Sequence, residues 1–249
     1  MKNIVKYVAF STLPEITDKH PVRDQCYLCG AKTNLSVDHV IPKILFAPST
    51  TTTYMKLWAC KECNKLKGKE DEYITRCMQT TSFVKQAKEG FDEAVRGFHK
   101  GHGIGLGLGI LENVLKFPLK TSHGEFSEVL KMDKYRIKKY LEIIAKGLFV
   151  RNTLTFNDWS KYEFRCEIDQ AILDIKLREK EPFKTFWEKA PLGEYWQNVF
   201  TYRGTVEGLN SGWVMCFYSS FFAAVTIGEK EAIEPKKDLV VAPNQRPTK

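Results

Sequence analysis

Four of the seven cysteines fall into two identical pairs, Cys26-x-x-Cys29 and Cys60-x-x-Cys63, while Cys77, Cys166 and Cys216 stand alone. A Cys-x-x-Cys turn aims two thiolates at one point, and two such turns complete the tetrahedral sulfur shell that zinc prefers. The doubled spacing favours a structural zinc site over a redox pair or four separate core cysteines. Thirty residues separate the pairs, more than the roughly 15 to 20 of a compact zinc ribbon, so something is inserted between the knuckles. Within the insertion lies "SVDHVIPK", where Asp38 and His39 stand side by side ahead of Pro42. A carboxylate and an imidazole are groups from which metal ligation and proton transfer are built. The lone cysteines are expected to be small buried hydrophobes.

Those residues need elements to hold them. Thr33 to Val37 reads as a short strand after a turn at Gly30, and Val40-Ile41 continues the extended chain until Pro42 stops it. Neighbours on a strand point to opposite faces, so Asp38 and His39 serve one point only if the backbone bends or a metal gathers them. From Asp71 to about Phe98 the apolar residues recur at helical spacings, which predicts one or two helices. "GHGIGLGLGIL" matches no phosphate-loop pattern and reads as a linker or a glycine-relieved strand. His99, His102 and His123 near it have no partners at ligand spacing and are expected to be surface or packing residues. In "DKYRIKKYLEIIAKGLF" Asp133 caps a helix with an Ile137, Tyr140, Leu141, Ile144 stripe, and Gly147 is expected to close it. "NVFTYRG" and "WVMCFYSSFFAAVTI", separated by "EGLNSG", read as a strand pair.

Cys26-x-x-Cys29, then Asp38-His39-Val40-Ile41-Pro42, then Cys60-x-x-Cys63-Asn64 with a trailing Lys67, resembles the HNH endonuclease family in its zinc-stabilised form. The resemblance covers about residues 20 to 75. It implies a ββα-metal fold, in which a hairpin and one helix surround a divalent cation. It further implies that His39 is the general base, and that Asp38 and Asn64 are oxygen ligands of a catalytic Mg²⁺ or Mn²⁺. Zinc on the four cysteines would then be scaffold and the second cation the reagent. One position departs from the family pattern: Met55 stands where an asparagine that braces the histidine is expected. Either a threonine among Thr50 to Thr53 or backbone groups would then do the bracing. Lys43, Lys61, Lys65, Lys67 and Lys69 would give sequence-independent phosphate contacts. Trp58 and Tyr54 read either as base-stacking residues or as core of the zinc module.

The fold class expected is therefore α+β. An HNH module with its zinc knuckles occupies residues 1–75, a helical connector and Gly-rich linker 76–109, an α+β body 110–233, and a mobile Pro- and Lys-rich tail 234–249. The formal net charge of +8 suits a polyanion, and no apolar run approaches the length of a membrane span. With no signal-peptide pattern at the start, the expectation is a cytoplasmic protein acting on DNA, with RNA left open. The body would supply target binding, dimerisation or regulation. Two alternatives stay open: a non-catalytic zinc-dependent nucleic-acid-binding module, and a defence nuclease of phage or bacterial type regulated by a ligand or partner.

Overall fold

The computed structural model describes residues 24–46, 54–81, 85–99, 118–120, 126–128, 133–168, 190, 192–196, 199–218 and 221–230. Leu35–His39 (β1) and Lys56–Cys60 (β2) form an antiparallel hairpin in which Asp38 lies opposite Leu57 and His39 opposite Lys56. The first strand thus runs past Val37 and takes in the Asp-His pair. The chain bends at Val40 and Ile41, and a 3₁₀ turn follows Pro42 over Lys43–Leu45. β2 passes directly into the helix α1, Lys61–Thr81. The Lys61 N–H donates to the Asn34 carbonyl at 2.9 Å and pins the helix start to the foot of β1.

One face of α1 buries Ile74, Cys77 and Met78, and with them Lys67, Thr75 and Gln79. A second helix, α2 (Lys85–His99), packs on α1, where the Arg76 guanidinium donates to the Gly90 carbonyl at 2.9 Å. Two helices thus follow the hairpin, as the apolar spacing predicts. Beyond them Pro118–Lys120 (β3) pairs with Phe126–Glu128 (β4).

The third helix, α3, spans Lys134–Thr153. Asp133 caps it, its Oδ1 accepting from the backbone N–H of Tyr135 at 2.9 Å and of Arg136 at 3.2 Å. The expected end at Gly147 is wrong: the helix continues for six further residues and stops at Leu154, whose φ of 55° is left-handed. Gly147 is there for closeness. A Cβ built on it would lie 2.4 Å from Cγ1 of Val40, so only glycine lets α3 press on the residue after His39.

Five antiparallel strands complete the described structure: β5 (Tyr162–Glu167), β6 (Leu192–Trp196), β7 (Phe200–Glu207), β8 (Asn210–Phe217) and β9 (Phe221–Glu229), in the order β5-β9-β8-β7-β6. Gly208 and Leu209 make the two-residue turn between β7 and β8, and the φ of +60° at Gly208 suits the first position of a type II′ turn. The expected strand pair is here a set of three, because "WVMCFYSSFFAAVTI" folds back on itself after Phe217. Tyr218, at φ 50°, starts that reversal. The protein is α+β, and one apolar cluster runs from Cys26, Leu57 and Ile74 through α3 to Phe200, Met215 and Phe217. Hairpin and sheet therefore share a core across the expected connector.

The expected linker at 101–109, with His102, His123 and the tail from 234, lies outside the described residues. His99 is the last residue of α2. Cys77 and Cys216 are buried and Cys166 is half-buried. Among the described residues no helix is long and apolar enough to cross a membrane.

Candidate functional site

The two knuckles converge. The sulfurs of Cys26, Cys29, Cys60 and Cys63 all lie within 4.8 Å of one another, and those of Cys29 and Cys60 are 3.7 Å apart. A zinc tetrahedron with bonds of about 2.3 Å has edges of about 3.8 Å, so four thiolates here fit that ion. The first knuckle is shaped by its backbone: Gly30 N–H donates to Cys26 O at 2.8 Å and Cys26 N–H to Ala31 O at 2.7 Å, with Gly30 at φ 78°. The second sits at a strand-to-helix junction, where the Cys63 N–H donates to Cys60 Sγ at 3.4 Å. That bond pulls the Cys60 thiol below its ordinary range, while burial pushes the Cys63 thiol far up. Sulfurs this close cannot all ionise without a cation to neutralise them, so zinc binding would release protons.

Three strand positions along the hairpin from Cys60, the chemistry changes from sulfur to oxygen. Asp38 is 4 % exposed and faces α1. Its Oδ2 accepts the Tyr27 hydroxyl at 2.7 Å, and its Oδ1 lies 3.4 Å from the Lys67 ammonium. Lys67 is 1 % exposed and makes two shorter bonds, to the His39 carbonyl and to Asp71 Oδ2, each at 2.8 Å. Burial, opposed by Lys67, raises Asp71 to about 6. Lys67 is therefore unlike the surface lysine that its charged surroundings suggest: it faces inward and is saturated by acceptors. Asn64 stands one turn ahead of Lys67. Its Nδ2 donates to Ser36 Oγ at 3.1 Å and to Val37 O at 3.4 Å. Ser36 and Asp38 share a strand face, so Asn64 rests on the side of β1 that carries Asp38.

His39 lies on the other face. Its ring meets Tyr54 edge-on at 5.4 Å, Tyr54 in turn meets Phe46 at 5.5 Å, and the Lys43 ammonium sits 5.3 Å from the Tyr54 ring centre. Burial, reinforced by the Lys43 charge, pushes the His39 imidazole below its ordinary pKa against the pull of Asp38. The imidazole is neutral at pH 7, and among the described residues its buried Nε2 has no hydrogen-bond partner. No described hydrogen bond joins the side chains of Asp38 and His39. They meet through Lys67, which touches the carboxylate of one and the carbonyl of the other.

The remaining lysines divide. Lys43 is exposed beside Tyr54, while Lys61, Lys65 and Lys69 are exposed on α1 at four-residue spacing, turned away from the buried face that carries Lys67. Met55 is buried, and its carbonyl accepts the Val40 N–H at 3.0 Å. The strand end after His39 is thus held by backbone at the position where an asparagine is expected. Thr50 to Thr53 lie outside the described residues.

Sequence reasoning missed the inward role of Lys67, the roles of Tyr27 and Asp71, and the clamp on the turn after Pro42. There the Tyr218 hydroxyl donates to Leu45 O at 2.6 Å, and Gln79 Nε2 donates to Ile44 O at 3.1 Å and to the Tyr218 oxygen at 3.1 Å. Lys67, Asp71, Thr75 and Gln79 recur every four residues on α1 beside Ile74 and Met78, a polar stripe visible in the sequence. No protein-family model, curated protein or solved structure matches the chain.

Proposed function

We propose that this chain is a metal-dependent endonuclease, of the HNH kind its motifs resemble, that hydrolyses phosphodiester bonds in DNA. The observation that carries the reading is His39: a neutral imidazole steered by Tyr54, with Nε2 buried and without a hydrogen-bond partner among the described residues, at the end of a strand framed by four clustered thiols. An imidazole nitrogen that is free of protein partners and unprotonated near pH 7 suits a group that takes a proton from water. Lys43, whose charge is felt by His39, supplies an exposed ammonium for a phosphate on the same side.

Asp38 and Asn64 would hold the divalent cation, Mg²⁺ or Mn²⁺, and their chemistry fits an ion that prefers oxygen. An ionised carboxylate offers about four acceptor directions and Asp38 uses two. Asn64 engages β1 through its nitrogen alone, which leaves its carbonyl oxygen to a ligand. When bound, such a cation neutralises charge that develops on the leaving oxygen. The protein's own part is to hold His39 neutral, to fix β1 against α1, and to keep the hairpin rigid through the zinc frame.

The burial of Asp38 and its bonds to Tyr27 and Lys67 favour a second reading, a zinc module that binds nucleic acid without cutting it. Nicking of supercoiled plasmid, and cleavage of a single-stranded RNA, in Mg²⁺ or Mn²⁺ separate the two. The nuclease reading expects nicked plasmid from the wild type and none from His39→Ala. Equal cleavage by both removes His39 from the mechanism. Retained binding with no cleavage by the wild type selects the second reading. Cleavage that appears only on adding a cell extract places the protein among regulated effectors.

A further inference from the structure

Lys67 is the most deeply buried charged side chain among the described residues, and two of its three contacts reach β1 while the third stays on its own helix. The contact to the His39 carbonyl, at 2.8 Å, is a charge-assisted bond to the backbone of the residue read as the base. The contact to Asp71, at 2.8 Å, anchors the ammonium to its own helix four residues on. The contact to Asp38, at 3.4 Å, is longer than a good hydrogen bond and acts as an ion pair. A buried ammonium is costly unless neutralised, and here two carboxylates neutralise it. One carboxylate would serve for charge alone. What the arrangement adds is a link from α1 to both members of the Asp-His pair, which strand alternation otherwise sends to opposite faces.

We propose that Lys67 is the positioning residue of the site: its ammonium fixes the His39 backbone relative to the Asp38 carboxylate, a task that Met55, the residue before β2, performs only through its carbonyl bond to Val40. The proposal rests on the reading of His39 as base and Asp38 as ligand. Lys67 touches no substrate in this account. It acts through the two residues it joins, and its helix is fixed in turn by the zinc frame, since α1 starts at the residue after Cys60.

The test uses the full-length, zinc-loaded protein. Lys67→Met keeps the length of the side chain and removes the charge, but it leaves Asp38 and Asp71 buried without a cation. The double variant Lys67→Met with Asp71→Asn removes one of those orphaned carboxylates and guards against failure to fold. Ile74→Val, a mild core change on the same helix, is the control for lost stability. With Mn²⁺ saturating, the double variant is expected to lose about 100-fold in kcat with KM unchanged, the scale of a misplacement near 1 Å. Asp71→Asn alone, which keeps the ammonium, is expected to lose less than the double variant, and Ile74→Val should follow the wild type.

A second readout does not need turnover. With histidine labelled in ¹⁵N, the His39 ring signal, identified by its loss in His39→Ala, should shift and broaden in the double variant and stay sharp in Ile74→Val. A His39 signal and a kcat both at wild-type values in the double variant overturn the proposal. If the wild type cuts nothing, the nuclease reading fails, and the ring signal alone then decides whether Lys67 positions His39.

Discussion

Replacing Gly147 by alanine tests whether α3 presses on the strand end that carries His39. In an isolated helix the change would stabilise by about 1 kcal/mol, because glycine is a poor helix former. Here the new Cβ would meet Val40 at 2.4 Å from Cγ1, 2.9 Å from Cγ2 and 3.2 Å from Cβ. Val40 is fully buried and β-branched, and with its own Cβ crowded no rotation of its side chain relieves all three contacts. Helix or strand end must therefore shift. Overpacking of this kind costs about 1–3 kcal/mol, and the clash is severe enough to favour the upper half of that range. Net of the helical gain, Gly147→Ala should destabilise by about 1–2 kcal/mol, which for a chain of this size lowers Tm by about 2–8 °C. Val40→Ala removes the methyls in the way, so the double variant should recover part of the loss, with a coupling energy of roughly 1 kcal/mol or more. Urea unfolding of the four proteins at fixed zinc measures the cycle. Stabilisation by Gly147→Ala alone, or additive effects in the cycle, would refute the packing argument.

Other expectations follow from the same geometry. Cys60→Ser removes one corner of the thiol tetrahedron and the acceptor of the Cys63 N–H, and should lose zinc and the cooperative unfolding of the hairpin, measured by metal content and calorimetry. Asp71, raised to about 6 mainly by burial, favours the folded state while protonated and loses that contribution as pH climbs from its ordinary value through 6. Asp71→Asn should therefore gain stability relative to the wild type between about pH 4 and 6 and hold the gain above it; a difference in urea midpoint that stays flat between pH 5 and 7 would contradict this. Tyr54→Phe keeps the ring edge against His39 and should keep most cleavage, whereas Tyr54→Ala frees the imidazole and should lower kcat by about tenfold or more. Equal rates for the two would mean that the ring contact does not orient His39.

Much of this arrangement could be read in the chain before any coordinates. Doubled Cys-x-x-Cys spacing predicts the thiol cluster because sulfur ligation is local and stereochemically narrow. Asp133 predicts the start of α3 for the same reason, since a cap bonds only two or three residues away. Two of the misread positions depend on something distant in sequence. Gly147 looks like a helix end until Val40, over a hundred residues earlier, is known to lie against it. Lys67 sits in "NKLKGKED" among solvent-facing charges, and only the folded hairpin reveals that its partners are the His39 carbonyl and Asp38. The fold-back after Phe217 has only Ser219 and Ser220 to mark it in an otherwise apolar run, a weak turn signal compared with glycine at Gly208.

The division of labour between two metals is the centre of the account, and Asp38→Asn examines it most directly. Asparagine keeps the size of the side chain and an acceptor for the Tyr27 hydroxyl while removing the charge a divalent cation needs. Zinc content and plasmid nicking, measured on one preparation of this variant beside the wild type in saturating Mn²⁺, should show full zinc and no nicking. Nicking at the wild-type rate would mean that Asp38 holds no catalytic ion, and loss of zinc would mean that the two sites are one.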